Sequence, residues 1–133
     1  MTSHFVLDAS AALRLFLADG PLPDDVHAAV AAASAGSALL FVPALFHAEV
    51  LHVVLRLERR GILDAASADA LLLDLRALPV LTVPHGAAFD AAAELARRFG
   101  LSAYDATYLA LAMHHGAVLL TADAALAAAA AAR

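Results

Sequence analysis

The 133-residue chain contains no cysteine and no lysine. Without cysteine there are no disulfide scaffolds, thiolate zinc sites or thiol redox chemistry, and a reducing compartment is permitted. Without lysine all eight basic residues are arginine. No glycine-rich phosphate loop is present. The N-terminus lacks the basic region and apolar run of a signal peptide, so a cytoplasmic protein is expected. A formal charge of -5 argues against a generally basic, nucleic-acid-coating protein. It leaves room for local patches, and Arg56, Arg59 and Arg60 cluster, as do Arg97 and Arg98.

Charge is also missing from Val26 to Ala48, in a chain that is 63% hydrophobic. A membrane span is still not expected there. The stretch holds His27, Ser34, Gly36, Ser37, Pro43 and His47, and much of its apolar count is alanine, which gives little transfer energy. The length suits one domain, residues 1–133, large enough to bury a core without staples.

Strand and helix patterns alternate along this chain. His4 to Leu7 reads as a buried strand that stops at Asp8, which caps a helix over Ala9 to Ala18 closed by Asp19-Gly20-Pro21. A helix over Asp24 to Ala33 and a strand over Ala38 to Val42 follow. Pro43 suits the first turn of a long helix reaching about Arg60, with Gly61 ending it in a left-handed conformation. Ser67 or its neighbourhood starts a helix through Leu78, and Val80 to Val83 is a third strand. Helices over Ala87 to Phe99 and Ala103 to His115, a strand over Ala117 to Thr121 and an alanine-rich helix over Ala124 to Arg133 complete the reading. The alternation predicts an α/β fold, a mostly parallel sheet of four to five strands covered by helices on both faces.

Four acids adjoin segments apolar enough to exclude charge: Asp8, Glu49, Asp105 and Asp123. Each has an ordinary structural explanation when taken alone. Asp8 and Asp123 suit helix N-caps, Glu49 an exposed helix position, and Asp105 a capping box with Ser102. Together they admit one shared explanation, because ligand sites in open α/β sheets lie beyond the carboxyl ends of strands, where Asp8 and Asp123 fall. Converging carboxylates without cysteine favour a hard cation, Mg²⁺ or Mn²⁺, and hence phosphoryl or phosphodiester chemistry.

The residues Val6-Leu7-Asp8-Ala9-Ser10, Pro43 with Glu49-Val50, Arg59-Arg60-Gly61, Tyr104-Asp105-Ala106 with Tyr108-Leu109-Ala110, and Leu120-Thr121-Ala122-Asp123 stand in an order that resembles the PIN-domain family. The resemblance is greatest to the ribonuclease toxins of bacterial VapBC toxin–antitoxin pairs. It implies a three-layer fold in which Asp8, Glu49, Asp105 and Asp123 are the acidic quartet that binds one or two Mg²⁺ or Mn²⁺ ions and cleaves RNA. Ser10 and Thr121 match supporting polar positions. The resemblance also implies an antitoxin partner that occludes the site and a homodimer. His52 departs from it, since many relatives carry asparagine there. Arg14, Arg56, Arg59 and Arg97 are the candidates to steer an RNA backbone.

Other constellations fit less well. Glu49-x-x-His52 has the spacing of a di-iron bundle but occurs once where two copies are needed. His114-His115 sits at a helix C-terminus, where the dipole favours histidine, and reads as structural. Asp8-Ala9-Ser10 lacks the second aspartate of haloacid-dehalogenase-like phosphatases. A receiver-like Mg²⁺-binding signalling domain requires a lysine that is absent. A catalytically silent PIN interaction module is the remaining alternative, and the complete quartet speaks against it.

Overall fold

The computed structural model describes residues 2–17 and 20–132. Among these the chain forms four strands, β1 (Ser3–Leu7), β2 (Ala38–Pro43), β3 (Leu81–Val83) and β4 (Val118–Leu120). They make one parallel sheet in the order β3-β2-β1-β4. Seven helices flank it: α1 (Ala9–Phe16), α2 (Asp24–Ser34), α3 (Leu45–Arg59), α4 (Ala65–Arg76), α5 (Phe89–Phe99), α6 (Ala103–His114) and α7 (Ala124–Ala132). The expected α/β class and parallel sheet are therefore observed, with helical layers on both faces.

Strand order fixes where a site can form. From β1 the chain steps outward through β2 to β3, with α1 to α4 packing among themselves and onto β2. It then returns across the sheet through α5 and α6 to place β4 on the far side of β1. The order reverses between β1 and β4, and the crevice outside their carboxyl ends is the topological switch point of the sheet. Asp8 follows β1 there, and Thr121 and Asp123 follow β4. The order also differs from the 2-1-3-4-5 arrangement of receiver-like folds.

Helix α6 spans the sheet, touching β1, β2 and β4. Ala106, Tyr108, Leu109, Ala110, Leu111 and Ala112 are all buried along it, so the helix is apolar nearly all round. Gly100, at φ 66°, ends α5 in a left-handed turn, and Ser102 then caps α6 by accepting the Asp105 N–H at 3.1 Å. At the other end of α6, His115 stacks on Phe41 of β2 with ring centroids 4.4 Å apart. That packing role agrees with the structural reading of the histidine pair.

Several boundaries differ from expectation. Helix α1 ends at Phe16, with Leu17 extended; Ala18 and Asp19, expected in its end and closing loop, lie outside the described residues. Arg133, expected in the last helix, does too. Pro43 is the last residue of β2, paired with Val83, and does not open α3. It sits where a strand ends, which suits a residue that supplies no N–H. Helix α4 begins at Ala65 because Asp64 is its cap, accepting the Ser67 N–H at 2.7 Å. Residues 26–48, the stretch without formal charge, supply α2, β2 and the start of α3. Among the described residues no helix is long and apolar enough to cross a membrane.

Candidate active site

The four acids reach the switch point from four elements. Asp8 caps α1, accepting the Ala11 N–H on Oδ1 at 2.9 Å, and its own N–H extends the sheet by donating to the Leu120 carbonyl at 3.1 Å. Only 3% of Asp8 is exposed. Glu49 lies one turn into α3, half-buried. Asp105 stands in the first turn of α6, also half-buried. Asp123 is exposed and caps α7, its Oδ1 accepting the Leu126 N–H at 2.9 Å.

Two hydroxyls lock Asp8 in place. Ser10 Oγ donates to Asp8 Oδ1 at 2.7 Å and accepts the Ala122 N–H at 3.0 Å. Thr121 Oγ1 donates to Asp8 Oδ2 at 2.5 Å and accepts the Asp123 N–H at 3.0 Å. Each hydroxyl thus uses both its donor and its acceptor capacity to join α1 to the β4–α7 loop. Ser10 and Thr121, supporting positions in the sequence reading, both sit against Asp8.

Tyr108 belongs to the site as well, although the sequence assigns it no role. One turn after Asp105 on α6, its buried hydroxyl donates to Glu49 Oε1 at 2.6 Å. Burial raises the phenol pKa far above its usual value, and the bond to Glu49 raises it further, so the hydroxyl stays a donor. The three-residue spacing from Asp105 signals a shared helix face. Nothing in the sequence links Tyr108 to a residue 59 positions away.

Charge couples the acids to one another. Burial pushes Asp8 above the ordinary carboxylate range, against the donors Thr121, Ala11 and Ser10, and the charge of Asp105 adds to the rise. Glu49 is also raised, first by burial and then by Asp105 and Asp8, with the Tyr108 bond opposing. Asp105 is raised by burial and by Asp123. Every donor atom is a hard oxygen. Among the described residues, no three histidine or carboxylate side chains close around one point as they stand. Glu49 turns to Tyr108, Asp8 to its two hydroxyls and Asp123 to its helix.

Comparison with known proteins gives a consistent pattern. The sequence profile described as "PIN domain" matches residues 5–132. The chain is 41% identical over 118 residues to Ribonuclease VapC3 of Mycobacterium tuberculosis, covering 89% of this chain and 81% of that protein. Its fold resembles the crystal structure of PAE2754 from Pyrobaculum aerophilum, with TM-score 0.72, 25% identity, and coverage of 97% of this chain and 86% of that one. It also resembles Mycobacterium tuberculosis VapC20, a toxin that cleaves the sarcin-ricin loop, with TM-score 0.62, 18% identity and 94% coverage of both chains.

Proposed function

The chain belongs to the PIN-domain family, and from that premise we propose that it is an endoribonuclease toxin dependent on Mg²⁺ or Mn²⁺. Asp8, Glu49, Asp105 and Asp123 are its metal-holding and catalytic residues, and Ser10 and Thr121 support them. The observation that carries this reading is the charge coupling of carboxylates from β1, α3 and α6, with Asp123 joined through Asp105, at the sheet's switch point. Holding a buried Asp8 beside the half-buried Glu49 and Asp105 is costly unless a cation offsets their charge.

The donor set fits a divalent cation. Its oxygens are hard, and repulsion among the acids is the cost that a 2+ charge removes. Asp8, fixed by Ser10 and Thr121, would be the rigid ligand, and Glu49, Asp105 and Asp123 would complete the set that holds the ion. A divalent cation held by these residues would supply a lowered pKa for an attacking water and charge neutralisation at the leaving oxygen of a phosphodiester. Hydrolysis of this kind leaves a 5′-phosphate and a 3′-hydroxyl. The protein supplies position: Tyr108 holds Glu49 against drift, and the buried α6 supports Asp105 from behind.

The similarity to Ribonuclease VapC3 supports an RNA substrate, and the resemblance to toxins of VapBC pairs adds an antitoxin partner, which we place over the acids. A homodimer, a cytoplasmic location and a single domain over residues 1–133 complete the reading.

Purified protein is expected to cleave RNA with Mg²⁺ or Mn²⁺ and not with chelator, and Asp105→Asn should lose roughly 100-fold or more in rate, as expected when a group that stabilises transition-state charge is removed. Expression without a partner should arrest bacterial growth, and Glu49→Gln should relieve the arrest at unchanged protein level. Equal cleavage by wild type and Asp105→Asn would reject the assignment.

A further inference from the structure

A cavity of about 390 Å³ opens beside Glu49, lined by Leu45, Ala48, His52 and Tyr104 together with Glu49 itself. Its volume lies within the range of small-ligand clefts. Tyr104 is 62% exposed although it immediately precedes Asp105 on α6. Its partner aromatic on the same helix, Tyr108, is 1% exposed. The two tyrosines of α6 therefore face opposite duties, one packed behind the acids and one standing in solvent at their lip. His52, one turn past Glu49 on α3, is exposed on the cavity's other wall.

The lining selects its occupant. Among the described residues no arginine lines the cavity, and Glu49 repels a second phosphate entering there. A flat, neutral, aromatic group suits it: it can lie on the Tyr104 ring, rest its edge against Leu45 and Ala48, and meet the imidazole of His52, which offers both a donor and an acceptor. Bases of single-stranded RNA are recognised in this way, by stacking on exposed aromatic rings and by hydrogen bonds to their edges. A base beside a phosphate held at the acids is the group of the substrate that can reach this cleft.

We propose that this cavity is a nucleobase subsite, in which Tyr104 stacks on the base next to the scissile phosphate and His52 contacts its edge. The proposal rests on RNA being the substrate. Stacking on Tyr104 tolerates any base, and discrimination falls to His52.

The chain holds only two tyrosines and no tryptophan, so contact quenching of tyrosine fluorescence by a stacked base reports on Tyr104, the buried Tyr108 being out of a base's reach. In Asp105→Asn protein with Mg²⁺, short single-stranded oligoadenylate and oligouridylate should quench this signal. An abasic ribose-phosphate oligomer of equal length should not, and should bind about 10- to 100-fold more weakly. Tyr104→Ala should abolish the quench and lower affinity for both oligomers to the abasic level. Tyr104→Phe should keep the affinity, and His52→Asn should change the ratio between adenylate and uridylate. With Asp105 restored, Tyr104→Ala should raise KM with little change in kcat. Thermal melts establish that each variant folds, as expected for exposed positions.

The proposal is overturned if Tyr104→Ala binds the oligomers as tightly as its parent. It also falls if the substitution only converts a dimer to a monomer, which would make this face an interface between copies. Metal-dependent cleavage by wild type alongside either result would leave the ribonuclease reading intact. Quenching and tight binding without any cleavage by wild type would instead remove the catalytic reading and keep the subsite.

Discussion

Tyr108 donates a 2.6 Å hydrogen bond to Glu49, joining α6 to α3 beneath the acidic site. Burial and the charges of Asp105 and Asp8 raise the Glu49 pKa, and this bond opposes them. On the proposed metal-binding role of Glu49, a phenol in this position would act as an outer hydrogen-bond donor that orients the carboxylate and lets it stay ionised.

Tyr108→Phe removes the hydroxyl with little change in shape. The bond is to a carboxylate, so its loss should destabilise the protein by about 1–2 kcal/mol at neutral pH. Glu49 should then be raised further, which moves the acidic limb of the pH–rate profile to higher pH. Urea denaturation and a cleavage profile across the weakly acidic to neutral range test this together. A profile superimposable on wild type would show that the bond only supports packing.

Thr121 is 7% exposed and serves Asp8 and the Asp123 backbone at once. Thr121→Val keeps the volume and removes both contacts, leaving a buried carboxylate oxygen and a backbone N–H without this partner. The expected cost is about 1–3 kcal/mol. If Asp8 holds the metal as proposed, affinity should fall as well, because its Oδ2 loses the Thr121 bond while Ser10 and the Ala11 N–H still hold Oδ1. Denaturation and calorimetric Mn²⁺ titration measure the two effects, and a variant as stable as wild type would contradict the network.

The fold was legible because hydrophobic runs and their punctuation are local signals. The run ending at Asp8 and the glycines after α3, α5 and α6 mark elements within a residue or two. Ser102 as the cap of α6 is readable for the same reason. Ser67 marks the start of α4 only approximately, because it and Asp64 are ends of one bond: the aspartate accepts and the serine N–H donates. Pro43 suits a first helical turn and a strand end equally, and only its pairing with Val83 decides between them. In the site, the acids stand out because charge is scarce among their neighbours. Tyr108 does not, since a tyrosine in an apolar helix reads as core, and its partner on α3 is set by how two helices pack.

Asp8 gives the most direct thermodynamic test, because it can act as a helix cap, a metal ligand or both. Its folded pKa lies above the unfolded value, chiefly through burial, with Asp105 contributing. A raised carboxylate binds its proton more tightly in the fold. Its contribution to stability is fully present below the unfolded pKa and is lost as pH rises through the folded one. At neutral pH without metal, the charge on Asp8 therefore works against folding. An asparagine in its place carries no charge and caps a helix about as well as aspartate, and the hydroxyls of Ser10 and Thr121 can turn to suit an amide. Asp8→Asn should thus be at least as stable as wild type in chelator at neutral pH, with any advantage shrinking as pH is lowered toward the unfolded carboxylate pKa of about 4. Divalent metal should reverse the order: at roughly 100 times its Kd it should stabilise wild type by about 2.7 kcal/mol and the variant far less. Thermal melts of both proteins, with chelator and with Mg²⁺, decide the matter, and identical metal responses would leave Asp8 a helix cap alone.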